Sequence, residues 1–142
     1  MTESRQEVSL LVGILDRSFE EDPIEFEERR WHALLSNLES VRPEDWDALP
    51  PGAERSIRQL VHHVGRCYVI YENHCFGDVT STWQSAGVGL IVDGSPEQTI
   101  EWLRTTFRTF RNSVANLTDQ HLHELTNGGW CDAVPRRDIV ER

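Results

Sequence analysis

The clearest feature of the chain is a run of apolar residues after Ser95 that recur at alternating spacings of three and four positions. Ser95 and Gln98, with Pro96 between them, form the capping-box pattern that begins a helix. The spacing places the apolar residues along one helical face of about five turns, as in the packing seam of a helical bundle. The members of this seam are Ile100, Leu103, Phe107, Phe110, Val114 and Leu117.

Three further stretches carry a helical period of apolar residues. One follows Asp22, a second follows Ser56 and runs to about His74, and a shorter one lies near the N-terminus. Strand-like alternation is nearly absent. We predict an all-α, up-down helical bundle with three long helices and a short N-terminal helix, which forms one domain over residues 1–142. The apolar positions are, in turn, Ile24, Trp31, Leu34, Leu35, Leu38 and Val41; Ile57, Leu60, Val61, Val64, Tyr68 and Tyr71; and Val8, Leu11, Val12, Leu15 and Phe19.

Two long connections separate the predicted helices. Residues 42–55 are rich in proline and predict a rigid loop with one turn at Glu44-Asp45-Trp46. Residues 77–94 are rich in glycine and show no helical period. A loop of this length inside a small bundle is either a lid or binding loop or a disordered segment, and both readings stay open. Within it, Trp83 is the tryptophan that we expect to contact a ligand.

Composition narrows the classes of partner. The chain has 24 acidic and 14 basic residues, all of the latter arginine, and a formal net charge of −10. This balance argues against nucleic acids and anionic membrane surfaces as partners. The polar N-terminus does not resemble a secretory signal, and we expect a cytoplasmic protein. The three cysteines, in no zinc-finger spacing, are predicted to be free thiols.

The adjacent pair His62 and His63 is the main candidate for chemistry. At about 100° per residue, His62 points away from the apolar face of its helix and is predicted to face water. His63 lies at the edge of that face, where the helix meets its neighbours, and Cys67, Tyr71 and His74 follow as pocket candidates. Imidazole and thiolate are zinc ligands, but a buried structural histidine explains position 63 as well, and no catalytic residue is assigned.

The stretch Ser56–Val64, a helix start that leads to His63, resembles the second helix of the DinB/YfiT-like superfamily. These are small four-helix-bundle proteins that are often described as metal-dependent enzymes. The resemblance covers most of residues 24–142, with further similar stretches at residues 31–35, 43–46, 71–78, 96–97 and 101–104.

The resemblance implies a divalent ion, zinc or nickel, held by three histidines. The position that matches the second-helix ligand is His63. The other two ligands belong to an H-x-x-x-H spacing on the fourth helix, and this sequence has no such spacing after Asp138-Ile139-Val140-Glu141. We therefore expect a truncated fourth helix and an incomplete metal site, or else a polar tail that matches a helix start by chance.

Two functional hypotheses follow. The resemblance implies a metal-dependent transferase, with thiol-dependent reactions among the candidates, or a hydrolase, acting on a small molecule in the bundle cleft. The alternative is a non-catalytic bundle whose seam from Ile100 to Leu117 is left partly uncovered by the missing helix. Exposed apolar surface of this kind drives association, so we expect a homodimer.

Overall fold

The computed structural model describes residues 3–20, 33–127 and 133–135. The all-α bundle expected from the apolar periodicity is confirmed, and its two longest helices begin at the predicted capping boxes. Short 3-10 turns at Pro43–Asp45 and Ser85–Gly87 interrupt the two long connections. The elements of the described residues are α1 (Gln6–Phe19), α2 (Leu34–Glu39), α3 (Ile57–Phe76), α4 (Pro96–Ala115), α5 (Asp119–Leu122), β1 (Leu125–Asn127) and β2 (Ala133–Pro135).

The helices α3 and α4 approach each other closely at Gly65. A Cβ atom added at this position would lie 2.1 Å from Cζ3 of Trp102, so the indole ring occupies the space that any larger residue would need. Farther along the pair, the hydroxyl of Ser113 donates a hydrogen bond of 2.7 Å to Oε1 of Glu72. Because glycine has no side chain, position 65 leaves room for the ring of Trp102 and lets the two helices approach closely.

These two helices run in the same direction. Arg58, at the start of α3, donates from Nη1 to the carbonyl oxygen of Gly94, just before α4. Glu72, near the end of α3, meets Ser113, near the end of α4. Residues 77–94 must therefore return along a helix of 20 residues, a distance of about 30 Å. This crossover connection replaces the up-down order that we predicted, which needs only short loops between neighbouring helices.

The helix α1 packs against α4 and is held at both ends by polar side chains. Arg111 donates from Nε and Nη2 to the two carboxylate oxygens of Asp16, each at 3.0 Å. Asp119 accepts hydrogen bonds from the backbone N–H groups of Gln6 and Val8, at 2.9 and 3.0 Å. The residue that precedes α1 makes no side-chain cap, so Asp119 caps this helix from a distant part of the chain.

The apolar seam of α4 is buried within the chain. Its members from Leu103 to Leu117 are each at most 8% exposed, and the ring of Phe107 stacks on Phe19 of α1 with centroids 3.8 Å apart. The expectation of a partly uncovered seam is therefore wrong, because α1 and α3 cover it. The homodimer itself stays a prediction, but the buried seam of α4 is not available as its interface.

A small β-hairpin follows the helices. The strands β1 and β2 pair antiparallel, with Leu125 opposite Pro135 and Asn127 opposite Ala133. Each strand has three residues, which is too short for an alternating pattern to stand out in the sequence. The hairpin adds to the predicted helical architecture without changing its class.

Some predictions fall outside the described residues. They concern most of the helix predicted after Asp22, the thiol of Cys131 and the truncated fourth helix expected after Asp138. The described part of the former helix is α2. None of the described helices combines the length and the apolar character that a membrane span requires.

We expect Gly65→Ala to lower the free energy of unfolding by about 1–3 kcal/mol, because the new Cβ must displace the ring of Trp102. Gly13→Ala on α1 is the matched control, since its Cβ would come no closer than 3.8 Å to the side chain of Arg17. There the higher helix propensity of alanine predicts a gain of about 0.5–1 kcal/mol. Urea denaturation measures both changes. Equal effects in the two variants would contradict the close contact of α3 with α4.

Candidate functional site

The candidate site is a cleft beside the first half of α3. Its volume is about 410 Å³, within the range of small-molecule sites. One lining residue comes from the crossover connection, and the others belong to α3 or directly precede it. The lining residues are Glu54, Arg55, Gln59, His62, His63, Arg66 and Trp83.

The start of α3 is fixed by a reciprocal cap and an ion pair. The hydroxyl of Ser56 accepts from the backbone N–H of Gln59, whose side-chain oxygen accepts from the backbone N–H of Ser56 at 2.9 Å. Arg58 donates from Nε to Asp47 at 2.6 Å and also bonds to the carbonyl of Gly94. The hydrogen bond from Arg58 lowers the pKa of Asp47 below its ordinary value. The start of α3, which borders the cleft, is therefore held to the preceding loop and to the residues just before α4.

The crossover connection is held against α3 and α4 by specific hydrogen bonds. The side-chain oxygen of Asn73 accepts from the backbone N–H of Ser81 at 2.8 Å. The indole N–H of Trp102 donates to the carbonyl of Val88 at 3.1 Å. Of the two readings of this loop, these contacts favour an ordered segment, and they position Trp83 at the cleft.

His63 and Trp83 face each other in the cleft. Their ring centroids are 5.0 Å apart, with an angle of 49° between the planes. The guanidinium carbon of Arg66 lies 5.5 Å from the centroid of the Trp83 ring, and Nη1 of Arg66 donates to the carbonyl of Trp83 at 3.2 Å. The side chain of Trp83 is still 40% exposed, so part of its ring surface is open to a ligand.

The imidazole of His63 also contacts Arg55. Nη1 of Arg55 lies 3.4 Å from Nδ1 of His63. Since a guanidinium can only donate, Nδ1 is the acceptor, and a neutral ring then carries its proton on Nε2. A metal ion at Nδ1 would have to displace Arg55, and one at Nε2 would turn an N–H group towards Arg55.

The described residues do not fit a metal site at His63. Nowhere in residues 3–20, 33–127 and 133–135 do three or more side chains of histidine, cysteine, aspartate or glutamate come together as a group that could hold an ion. The contacts of His63 are instead a guanidinium and an indole.

The prediction that His62 faces water holds only in part, because the residue is half-buried and lines the cleft. Its ring lies edge-on to Trp102 with centroids 6.4 Å apart, and Nε2 is buried without a hydrogen-bond partner among the described residues. Burial lowers the pKa of His62, and the charges of Arg58 and Arg66 lower it further. Because Gly65 has no side chain, the ring of Trp102 lies close to the backbone of α3 and contacts His62. The wheel of a single helix contains no information about this neighbour.

The three pocket candidates do not line the cleft with His63. His74 is buried beneath the crossover connection, with Nε2 at 3.4 Å from the carbonyl oxygen of Ser81. Tyr71 packs against the apolar cluster shared by α1 and α4. Cys67 is half-buried, and burial raises the pKa of its thiol, which disfavours the reactive thiolate. Of the predicted site residues, His63 is the one that the structure places in the cleft.

The sequence reasoning missed the two arginines of the cleft. Arg66 follows His63 by three positions and therefore shares its helical face, which is a signal that the sequence contains. Arg55 directly precedes the helix cap, where no periodic pattern marks it. Trp83 does line the cleft, as expected of a residue suited to ligand contact, while the contact itself stays a prediction.

Comparison with known families agrees with the helical architecture. The family model described as the DinB superfamily matches residues 27–136. The chain belongs to the DinB superfamily. This confirms the resemblance seen from Ser56 to Val64 and in the stretches around it. No curated protein and no solved structure matches the chain.

Outside the cleft, Glu72 is a half-buried carboxylate between α3 and α4. Its Oε1 accepts from Ser113, while Oε2 is buried without a hydrogen-bond partner in the described part of the chain. Burial raises the pKa of Glu72, and the bond from Ser113 offsets part of this effect. The folded state therefore binds this proton more readily than the unfolded state. The ionised group destabilises the fold above its raised pKa and ceases to do so as the pH falls.

We expect Glu72→Gln to raise the free energy of unfolding by up to about 1 kcal/mol at about pH 7.5, because it removes a partly buried charge and keeps an acceptor for Ser113. The gain should disappear as the pH falls below the ordinary carboxyl value of 4.5. Urea denaturation at both pH values measures this, with the exposed Glu3→Gln as control. A gain of equal size at both pH values would show that the charge is not its cause.

Proposed function

We propose that this member of the DinB superfamily acts on a small molecule held in the cleft beside His63. The observation that carries the proposal is the convergence of two imidazoles, two guanidinium groups and a partly exposed indole on one cavity of about 410 Å³. Cavities with an aromatic wall and a few convergent polar groups are typical of ligand sites.

A second groove, of about 500 Å³, lies between α1 and α4 and is a weaker candidate. Its Arg111 is already bound by both carboxylate oxygens of Asp16. In the cleft, the hydrogen bonds of Arg55 and Arg66 within the described residues go to an imidazole nitrogen and a backbone carbonyl. Guanidinium groups that lack a carboxylate partner within the described ranges favour the cleft beside His63, although it is the smaller of the two cavities.

For the reaction, we propose the activity that the family resemblance implies, which is that of a transferase or a hydrolase. Thiol-dependent transfer is among the candidate reactions. Within the cleft, the imidazole of His63 is a group suited to move a proton. For the ion that the resemblance implies, zinc or nickel on His63, we propose an incomplete site. The described residues bring fewer than three possible ligands together, and others would have to come from outside the described ranges or from a partner subunit.

A screen of small organic molecules by NMR, on the isotope-labelled full chain, tests the location of the site. Molecules that bind are expected to shift the indole N–H resonance of Trp83, because that ring borders the cleft. Trp83→Phe identifies this resonance by its disappearance. Molecules that shift the side-chain resonances of Arg111 and leave Trp83 unchanged would place the site in the groove between α1 and α4 and overturn the proposal.

Metal analysis tests the incomplete ion site. We expect the chain, dialysed against zinc or nickel and then against buffer, to retain less than about 0.2 equivalents, because a stable site needs about three protein ligands. His63→Ala and His123→Ala form a matched pair, since His123 contacts Glu7 at 3.2 Å and does not line the cleft. A stoichiometric ion that is lost in His63→Ala and kept in His123→Ala would overturn the expectation and establish a complete site at His63.

A further inference from the structure

We propose that the ligand of the cleft beside His63 is a planar organic anion, such as an aromatic carboxylate. This inference rests on the proposed function, because it assigns a chemical class to the occupant of the same cleft. It is carried by two guanidinium groups with few partners among the described residues and by a partly exposed tryptophan.

The positive charge of the cleft comes from Arg55 and Arg66. Arg55 is exposed, and its bond to the ring of His63 is long at 3.4 Å. Arg66 donates to the carbonyl of Trp83, while its Nε–H is buried without an acceptor among the described residues. Each guanidinium carries five donors, and one hydrogen bond from each of these two arginines is found among the described residues. A carboxylate is an acceptor whose two oxygens match this fork of donors.

The acidic side chains near the cleft do not cancel this charge. Asp47 is already bound by Nε and Nη2 of Arg58, at 2.6 and 3.1 Å. Glu54 is the one acidic residue among those that line the cleft. The chain as a whole carries a net charge of −10, so a cleft with more guanidinium than carboxylate groups reverses the general sign of the surface. Such a local reversal favours an anion at this place.

The planar part of the ligand is inferred from Trp83. Its ring lies beside the imidazole of His63 and the guanidinium of Arg66, and its side chain is 40% exposed. Flat groups gain contact area against an indole. A small inorganic anion would use the arginines and leave this surface without a partner.

Benzoate and benzamide form the test pair, because they share a ring and nearly the same shape and differ in charge. Their dissociation constants for the full chain are measured by ligand-observed NMR. We expect benzoate to bind at least about tenfold more tightly than benzamide, since a carboxylate makes charge-assisted bonds to a guanidinium. Acetate, which has the charge without the ring, should also bind about tenfold more weakly than benzoate.

Substitutions of single arginines test whether benzoate binds in the cleft beside His63. Arg55→Gln and Arg66→Gln should each weaken benzoate binding about tenfold and weaken benzamide binding less, because benzamide lacks the charge that a guanidinium attracts. Arg42→Gln is the control, since this exposed arginine pairs with Asp45 and does not line the cleft. Its effect should stay within about twofold, because exposed charges at a distance are screened. Arg66 also holds Trp83, so the exposed Arg55 keeps the test valid if the Arg66 variant does not fold.

The outcomes separate this inference from the proposed function. Equal affinity for benzoate and benzamide, with a shift of the Trp83 resonance, would overturn the anion and leave the small-molecule site in place. The same holds if neither molecule binds while other molecules of the screen shift Trp83. Benzoate binding that persists in both arginine variants would also overturn the inference. If no molecule of any kind shifts Trp83, the proposed function fails together with it.

Discussion

The contact between Gly65 and Trp102 is the constraint on which the rest of the structure depends. The indole occupies the space next to α3 that a side chain at position 65 would fill, and it is 8% exposed. The same ring meets His62 on its edge, and its N–H group binds the carbonyl of Val88. One side chain of α4 thus contacts α3 and the crossover connection at once, and the relative position of all three follows from it.

The cleft is a consequence of helix direction. Because α3 and α4 run in the same direction, the chain between them has to return along α3. That return covers His74 and brings the ring of Trp83 to 5.0 Å from His63. A tight turn between antiparallel helices would leave this face of α3 to solvent or to another helix. The site therefore arises from topology, and no short motif in the sequence encodes it.

What could be predicted from the sequence was local. The apolar period and the capping boxes at Ser56 and Ser95 depend on residues within one or two turns, and they predicted α3 and α4 correctly. The partial burial of His62 depends on the ring of Trp102, which belongs to another helix. The cap of α1 by Asp119 joins distant parts of the chain. Neither leaves a local signal. For the site, the same reasoning predicted His63 and Trp83 but not the arginines. The length of residues 77–94 was a usable signal for a crossover, since antiparallel neighbours need only short loops.

The charges around His63 favour one kind of occupant over another. A divalent cation there would lie beside Arg55 and Arg66, with Glu54 as the one carboxylate lining the cleft. Both guanidinium groups repel such an ion, and water screens this repulsion most at the exposed Arg55. An anion is stabilised by the same groups without rearrangement. Membership of the superfamily therefore does not settle what binds at His63. Arg55, just before α3, and Arg66, on α3, favour an anion there over a cation.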